Sequence, residues 1–207
     1  MARCFIFSAG TFYGLREVPR PGDLVIAADA GLLHCRALGI APGLVVGDFD
    51  STDPPEGDVP TLRLPVEKDD TDSMRAIKEG LARGCREFYL YGGTGGARLD
   101  HTLANLQSLV WLARHGARGW LYGRGERYTA LTGGTVVLPA QEGIFSLFCM
   151  GAEVRGLSIA GGDYPLEDAV LTPRFPLGVS NHFIGRDVTV SLREGDLVIG
   201  IHEGEAP

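Results

Sequence analysis

Strand and helix signals alternate along the first 122 residues of this 207-residue chain, and the helical signals then stop. Short apolar runs at 4–7, 24–28, 44–46, 87–91 and 118–122 read as strands. Between them, 30–38 reads as a helix closed by Gly39, and 70–83 carries Met74, Ile77 and Leu81 at helical spacing before Gly84. A longer helix ending near Gly116 places Leu99, Leu103, Leu106, Val110 and Ala113 on one face. His101, Asn105 and Ser108 form a polar stripe roughly opposite, which reads as a solvated face. Strands separated by helices build βαβ units and hence a largely parallel sheet. Such sheets bind ligands beyond the carboxyl ends of their strands. Polar clusters follow Phe7, Ala28, Val46 and Tyr91, each at a strand's carboxyl end.

Beyond residue 123 the pattern is different. Apolar runs at 129–131, 135–138, 144–149, 154–159, 188–192 and 197–201 are separated by glycine-rich turns and show no helical period. This predicts a small antiparallel sandwich or barrel. The expected fold class is therefore α/β: a largely parallel α/β domain over 1–125, followed by an antiparallel β-sandwich domain over 126–207.

The charge is concentrated. Nine acids lie between Asp48 and Asp72, opposed only by Arg63 and Lys68, so this stretch carries the whole net charge of −7. An acidic chain lacks the cationic surface that non-specific nucleic-acid binding requires. No apolar run approaches the ~18 residues of a membrane span, and the start MARCFIFSAG turns polar too soon for a signal peptide. Cysteines at 4, 35, 85 and 149 form no CxxC motif and suggest no disulfide framework. A cytoplasmic protein that binds neither nucleic acid nor membrane is expected.

Three segments could carry chemistry. Asp48-Phe49-Asp50 follows a strand; if extended, its two carboxylates point the same way, a pair suited to Mg²⁺. Glu67-Lys68-Asp69-Asp70-Thr71-Asp72 precedes a helix. Asp69 or Asp70 could cap it, but capping explains one or two acids and not four in six positions, which repel one another unless a cation is present. Gly92-Gly93-Thr94-Gly95-Gly96 joins a strand to a helix, where glycines allow close approach of a phosphate and helical N–H groups can receive it. Arg98 adds a planar donor fork, and Asp100, His101 and Asn105 follow. Neither GxxxxGK[ST] nor GxGxxG is matched. Gly178-Val179-Ser180-Asn181 reads on its own as a hairpin turn.

Taken in order, ADAG with Asp29, GDFDS, EKDDTD, RLDH with Asn105 beyond, and GVSN resemble the bacterial type of thiamine pyrophosphokinase, from about residue 24 to the end. One departure is Ala97, which intervenes before Arg98 where the family has arginine directly after a glycine pair. The resemblance implies transfer of a diphosphate group from ATP to the hydroxyl of thiamine, giving thiamine diphosphate and AMP. It implies a homodimer whose thiamine site lies between the α/β domain of one subunit and the β domain of the other. It implies that Asp48, Asp50 and Asp72, with Asp69 nearby, hold Mg²⁺ and phosphate. Asp72 would also position or deprotonate the thiamine hydroxyl, and Asp100 would support metal or nucleotide. ATP would be bound by Asp29, Gly93, Thr94, Gly95, Gly96, Arg98, His101 and Asn105, and thiamine by Lys68, Asp72, Ser180 and Asn181. Two other classes use the same residues: a Mg²⁺-dependent nucleotide phosphohydrolase, and a nucleotide- or thiamine-sensing module without turnover.

Overall fold

The computed structural model describes residues 2–49, 58–65, 69–96 and 98–203. It divides into two compact units, Met1–Ser108 with Gly116–Arg124, and Leu109–His115 with Gly125–Pro207.

In the first unit, strands β1 (Ala2–Phe7), β2 (Leu24–Ala28), β3 (Leu44–Gly47), β4 (Thr61–Arg63), β5 (Cys85–Tyr91) and β6 (Arg118–Tyr122) are joined in the order β6-β5-β1-β2-β3-β4. Every pairing is parallel. The interior strands are runs of buried apolar residues without polar alternation: Cys4 to Phe7 are wholly buried, as are Val45 and Val46. That is the signature of strands covered on both faces. The chain runs outward from β1 to β4, then returns to place β5 on the other side of β1. The order therefore reverses between β1 and β5, and the crevice beyond their carboxyl ends is where an open α/β sheet takes its ligand.

Helix α1 (Gly31–Ala37) joins β2 to β3, and α2 (Asp72–Ala82) joins β4 to β5. Glycine is required at Gly31, where a Cβ would lie 1.8 Å from the Phe7 carbonyl oxygen. Helix α2 begins two residues later than its spacing predicts. Thr71, in extended geometry, caps it by accepting the Met74 N–H at 3.1 Å, so neither Asp69 nor Asp70 is the cap.

Helix α3 (Leu99–Arg114) follows β5, and its residues from 109 onward count with the second unit. Four of its residues depart from the sequence expectation, while Val110 is buried and His101 exposed as their spacing predicts. Leu99 and Leu103 are 70% and 52% exposed, whereas Asn105 and Ser108 are 5% and 7% exposed. The buried polar atoms are satisfied: Asn105 Nδ2 donates to the Gly93 carbonyl at 2.9 Å, and Ser108 Oγ donates to the Ala104 carbonyl at 2.9 Å. A hydrogen-bonded amide can be buried at little cost, so the period of a helix does not by itself say which face turns inward.

An ion pair ties β1 to the turn before β2. Asp23 accepts from Arg3 Nε at 3.1 Å and from the Arg20 N–H at 2.7 Å. Burial opposes the charged carboxylate, but the hydrogen bond from Arg3, that from Arg20 and the Arg3 charge outweigh it and hold Asp23 below the ordinary carboxylate range. The folded state thus binds this proton less tightly than the unfolded chain does. Its stabilising contribution is complete above about pH 4 and is lost as pH falls through the folded value. Asp23→Asn should flatten the acid limb of a plot of urea midpoint against pH; an acid limb of unchanged slope contradicts this account.

In the second unit, β7 (Glu126–Leu131), β9 (Ile144–Cys149), β12 (Asn181–His182) and β14 (Leu197–His202) join antiparallel in the order β12-β9-β14-β7. Strands β8 (Gly134–Leu138), β10 (Val154–Ala160), β11 (Leu166–Leu171) and β13 (Val188–Leu192) form an antiparallel four-stranded sheet, β11-β10-β13-β8. Period-two burial is clear in β13, where Val188, Val190 and Leu192 are buried and Thr189 and Ser191 are half-buried. The N-terminal parallel α/β sheet followed by antiparallel β structure is the fold class expected. Among the described residues no helix is long and apolar enough to cross a membrane. Cys4, Cys35, Cys85 and Cys149 are free thiols.

Candidate active site

Four chain segments converge beyond the carboxyl ends of β1, β2, β3 and β5. The turn after β1 lies against the turn after β5: the Ser8 N–H donates to the Tyr91 carbonyl and the Gly10 N–H to the Gly92 carbonyl, both at 2.8 Å. This approach leaves no room for side chains. A Cβ at Gly10 would lie 2.5 Å from the Gly92 oxygen, and one at Gly92, which has φ 68°, would lie 2.2 Å from the Ser8 oxygen. Thr11 Oγ1 donates to the Gly95 carbonyl at 2.8 Å, and Asn105 holds the Gly93 carbonyl from α3. The glycine loop is therefore fixed from two sides.

Asp29 follows β2 at φ 50°, with its N–H donating to the Val46 carbonyl at 2.7 Å. Asp48 follows β3, and Phe49 has φ 58°. Phe49 is therefore left-handed and not extended, and extension was the condition for the two carboxylates of Asp48-Phe49-Asp50 to point the same way; Asp50 itself lies outside the described residues. Non-glycine residues in this region are strained and cluster at functional sites. The start of α2 supplies Asp70, Thr71, Asp72 and Ser73.

Together these segments line a cavity of about 540 Å³. Of the expected site residues, it gathers Asp29, Asp48, Asp72, Gly93, Thr94, Gly96, Arg98, His101 and Asn105. Asp69, Gly95 and Asp100 are not on its wall. Asp50 and Lys68, with Glu67 and Ala97, lie outside the described residues. Asp100 is exposed and faces Arg98, whose Nε donates to its Oδ1 at 3.2 Å. That hydrogen bond holds the Asp100 carboxyl below its usual range and raises the Arg98 guanidinium. Asp70 also lines the cavity, but Lys78 Nζ grips both of its oxygens at 2.7 and 2.8 Å.

Ser8, Gly10, Ser73 and Thr102 are further wall residues outside the quoted motifs, and Thr71 is the threonine of EKDDTD. The sequence signal for the first two is their place after an apolar strand. Ser180 and Asn181 belong to the second unit. Ser180 is exposed, has φ 62°, and donates its N–H to Ser146 Oγ at 3.1 Å. The Asn181 amide is buried and doubly engaged with Tyr164, accepting its N–H at 3.0 Å and donating to its carbonyl at 2.7 Å.

Among the described residues no group of three or more His, Cys, Asp or Glu side chains could hold a metal ion unaided. Mg²⁺ does not require one, because it commonly takes one or two carboxylates and completes its shell with water and substrate phosphates. A cavity with carboxylates from Asp29, Asp48, Asp70 and Asp72 offers hard oxygen donors of that kind. The donor set fits Mg²⁺ arriving with a polyphosphate.

A glycine floor lies at the switch point of a parallel sheet and faces a wall of aspartates, an arrangement suited to an α/β protein that binds a polyphosphate. Residues 16–121 match the family model described as thiamin pyrophosphokinase, catalytic domain, and residues 135–197 match that for the vitamin B1 binding domain. The chain belongs to the thiamin pyrophosphokinase family. It is 28% identical over 184 residues to the thiamine pyrophosphokinase of Bacillus subtilis (strain 168), an alignment covering 85% of this chain and 86% of that protein. The crystal structure of thiamine pyrophosphokinase from Bacillus subtilis superposes with a TM-score of 0.88 at 23% identity, covering 98% of this chain and 99% of the other. That from Geobacillus thermodenitrificans gives 0.86 at 24% identity, with 99% of each chain covered. At these identities the structural likeness speaks for the fold.

Proposed function

We propose that the chain transfers a diphosphate group from ATP to the hydroxyl of thiamine, releasing AMP. The observation that carries this reading is the aspartate-lined cavity over the glycine floor at the β1/β5 switch point, in a chain of this family.

Asp48 and Asp72, with Asp50 and Asp69, are assigned to hold Mg²⁺ against the triphosphate. When bound there, the ion neutralises charge on the phosphoryl oxygens and helps to hold the chain in line for attack. Asp72 sits in the first turn of α2 and lines the cavity, where its carboxylate can orient the attacking hydroxyl and accept its proton. ATP is assigned to Asp29, Gly93, Thr94, Gly95, Gly96, Arg98, His101 and Asn105. Asp100 then acts through Arg98, fixing the guanidinium that meets a phosphate. Thiamine carries a permanent positive charge, and an acidic wall attracts it. Lys68, Ser180 and Asn181 are assigned to thiamine, in a homodimer with a composite site. Because the Asn181 amide already holds Tyr164, Ser180 is the freer of the two to reach substrate. Four free thiols suit a reducing compartment, which supports the cytoplasm as the place of action.

With ATP, Mg²⁺ and thiamine, AMP and thiamine diphosphate should form in equal amounts, and ATP should survive when thiamine is omitted. Phosphate or diphosphate release at the same rate without thiamine would identify a phosphohydrolase instead. Ligand binding without turnover would leave a sensing module.

A further inference from the structure

Ser8 and Ser73 come from segments 65 residues apart, yet their hydroxyl oxygens lie 2.7 Å from each other on the cavity wall. Ser8 is 6% exposed. Its backbone N–H is committed to the Tyr91 carbonyl, so its side chain is the group it can offer a ligand. Ser73 is the second residue of α2, next to Asp72. Two hydroxyls carry two protons. Their mutual bond uses one, and among the described residues neither oxygen has a second partner. The pair thus retains one donor proton, in a cavity where nearly every other charged group is an acid.

That chemistry matters for a polyphosphate. Aspartates hold a phosphate only through an intervening cation, and elsewhere along the chain they repel it. The guanidinium on the cavity wall, Arg98, is bonded to Asp100 along one edge, and its remaining N–H groups can meet one phosphate. Neutral donors can serve the phosphate oxygens that neither Arg98 nor a metal ion reaches. Ser8 stands beside the Gly10–Gly92 contact, where the glycine floor allows the closest approach. We infer that Ser8 and Ser73 act as one two-hydroxyl donor site for the phosphate chain of the nucleotide, a proposal that rests on the ATP-dependent reading above. As the two oxygens share a hydrogen bond, removing either hydroxyl disorganises the donor left behind, so the two substitutions should not add.

The test is calorimetric binding of two probes to the full chain: the non-transferable analogue α,β-methylene-ATP with Mg²⁺, and phosphate-free adenosine. Ser8→Ala and Ser73→Ala should each weaken analogue binding about 10-fold, the range of a hydrogen bond to a charged group. The double variant should be little worse, and adenosine affinity should stay constant. Ser73→Thr retains the hydroxyl and should bind the analogue nearly as wild type does; it also carries the test if Ser8→Ala fails to fold. Analogue affinity unchanged in Ser73→Ala, or equal losses for both probes, would overturn the proposal. A wild-type chain that binds the analogue but never converts thiamine would overturn the functional reading and leave the donor pair standing. A wild-type chain that binds neither probe would overturn both.

Discussion

Asp72→Asn should lower kcat for diphosphate transfer by about 100-fold or more, the range associated with loss of a positioned general base. The substitution is nearly isosteric and removes only the charge. Thr71 caps α2 independently, through its bond to the Met74 N–H. The neutral amide gives up the favourable meeting of a carboxylate with a helix N-terminus, about 0.3–1 kcal/mol. Circular dichroism should still show the folded chain. If Asp72 served binding alone, KM for thiamine or ATP would rise with kcat preserved. Near-normal kcat in this variant would remove Asp72 from the reaction.

The second large effect is structural. Gly92→Ala should destabilise the chain by about 3 kcal/mol, combining a left-handed backbone cost of about 1–2 kcal/mol with displacement of a backbone contact. The displaced group is the Ser8 carbonyl, 2.2 Å from the new Cβ, which cannot rotate away as a side chain would. Gly39→Ala is the matched control: its φ is 65°, but nothing lies within 4 Å of its Cβ position. It should show only the backbone term, about 1–2 kcal/mol. The difference between the two urea midpoints isolates the β1–β5 contact. Equal losses would mean that this contact does not hold the glycine floor in place.

The parallel half of the fold was legible because strands covered on both faces, such as Cys4 to Phe7, must be continuously apolar. The edges were not. Strand β4 has three residues and β12 two, too short for a period, while β11 reads Leu-Glu-Asp-Ala-Val-Leu and bends at Asp168, with φ 44°. Helix α3 shows a different limit. Its leucine row matched a core face by spacing, yet Asn105 and Ser108 turned inward because a carbonyl of the glycine loop and one of the helix itself were there to receive them. Periodicity records polarity, whereas burial depends on partners that only the tertiary structure supplies.

The same contrast runs through the site. Asp29, Asp48 and Asp72 could be found as acids at strand ends or before a helix, because a parallel sheet brings such ends together. The left-handed Phe49 could not be anticipated, because its conformation departs from that of the strand it follows. The pairing of Asp70 with Lys78 was equally hidden, since the two partners lie eight residues apart and α2 brings them together. Ser8 and Ser73 carry no motif and become a unit only through the crevice between β1 and α2.

The proposed reaction breaks the bond from the β-phosphorus to the oxygen it shares with the α-phosphate, and passes the β- and γ-phosphates to thiamine. ATP radiolabelled at the β-phosphate, supplied with Mg²⁺ and thiamine, tests it directly. The label should appear in thiamine diphosphate, while an α-phosphate label should remain in AMP. A β-label recovered in ADP, with thiamine carrying a single phosphate, would contradict the account.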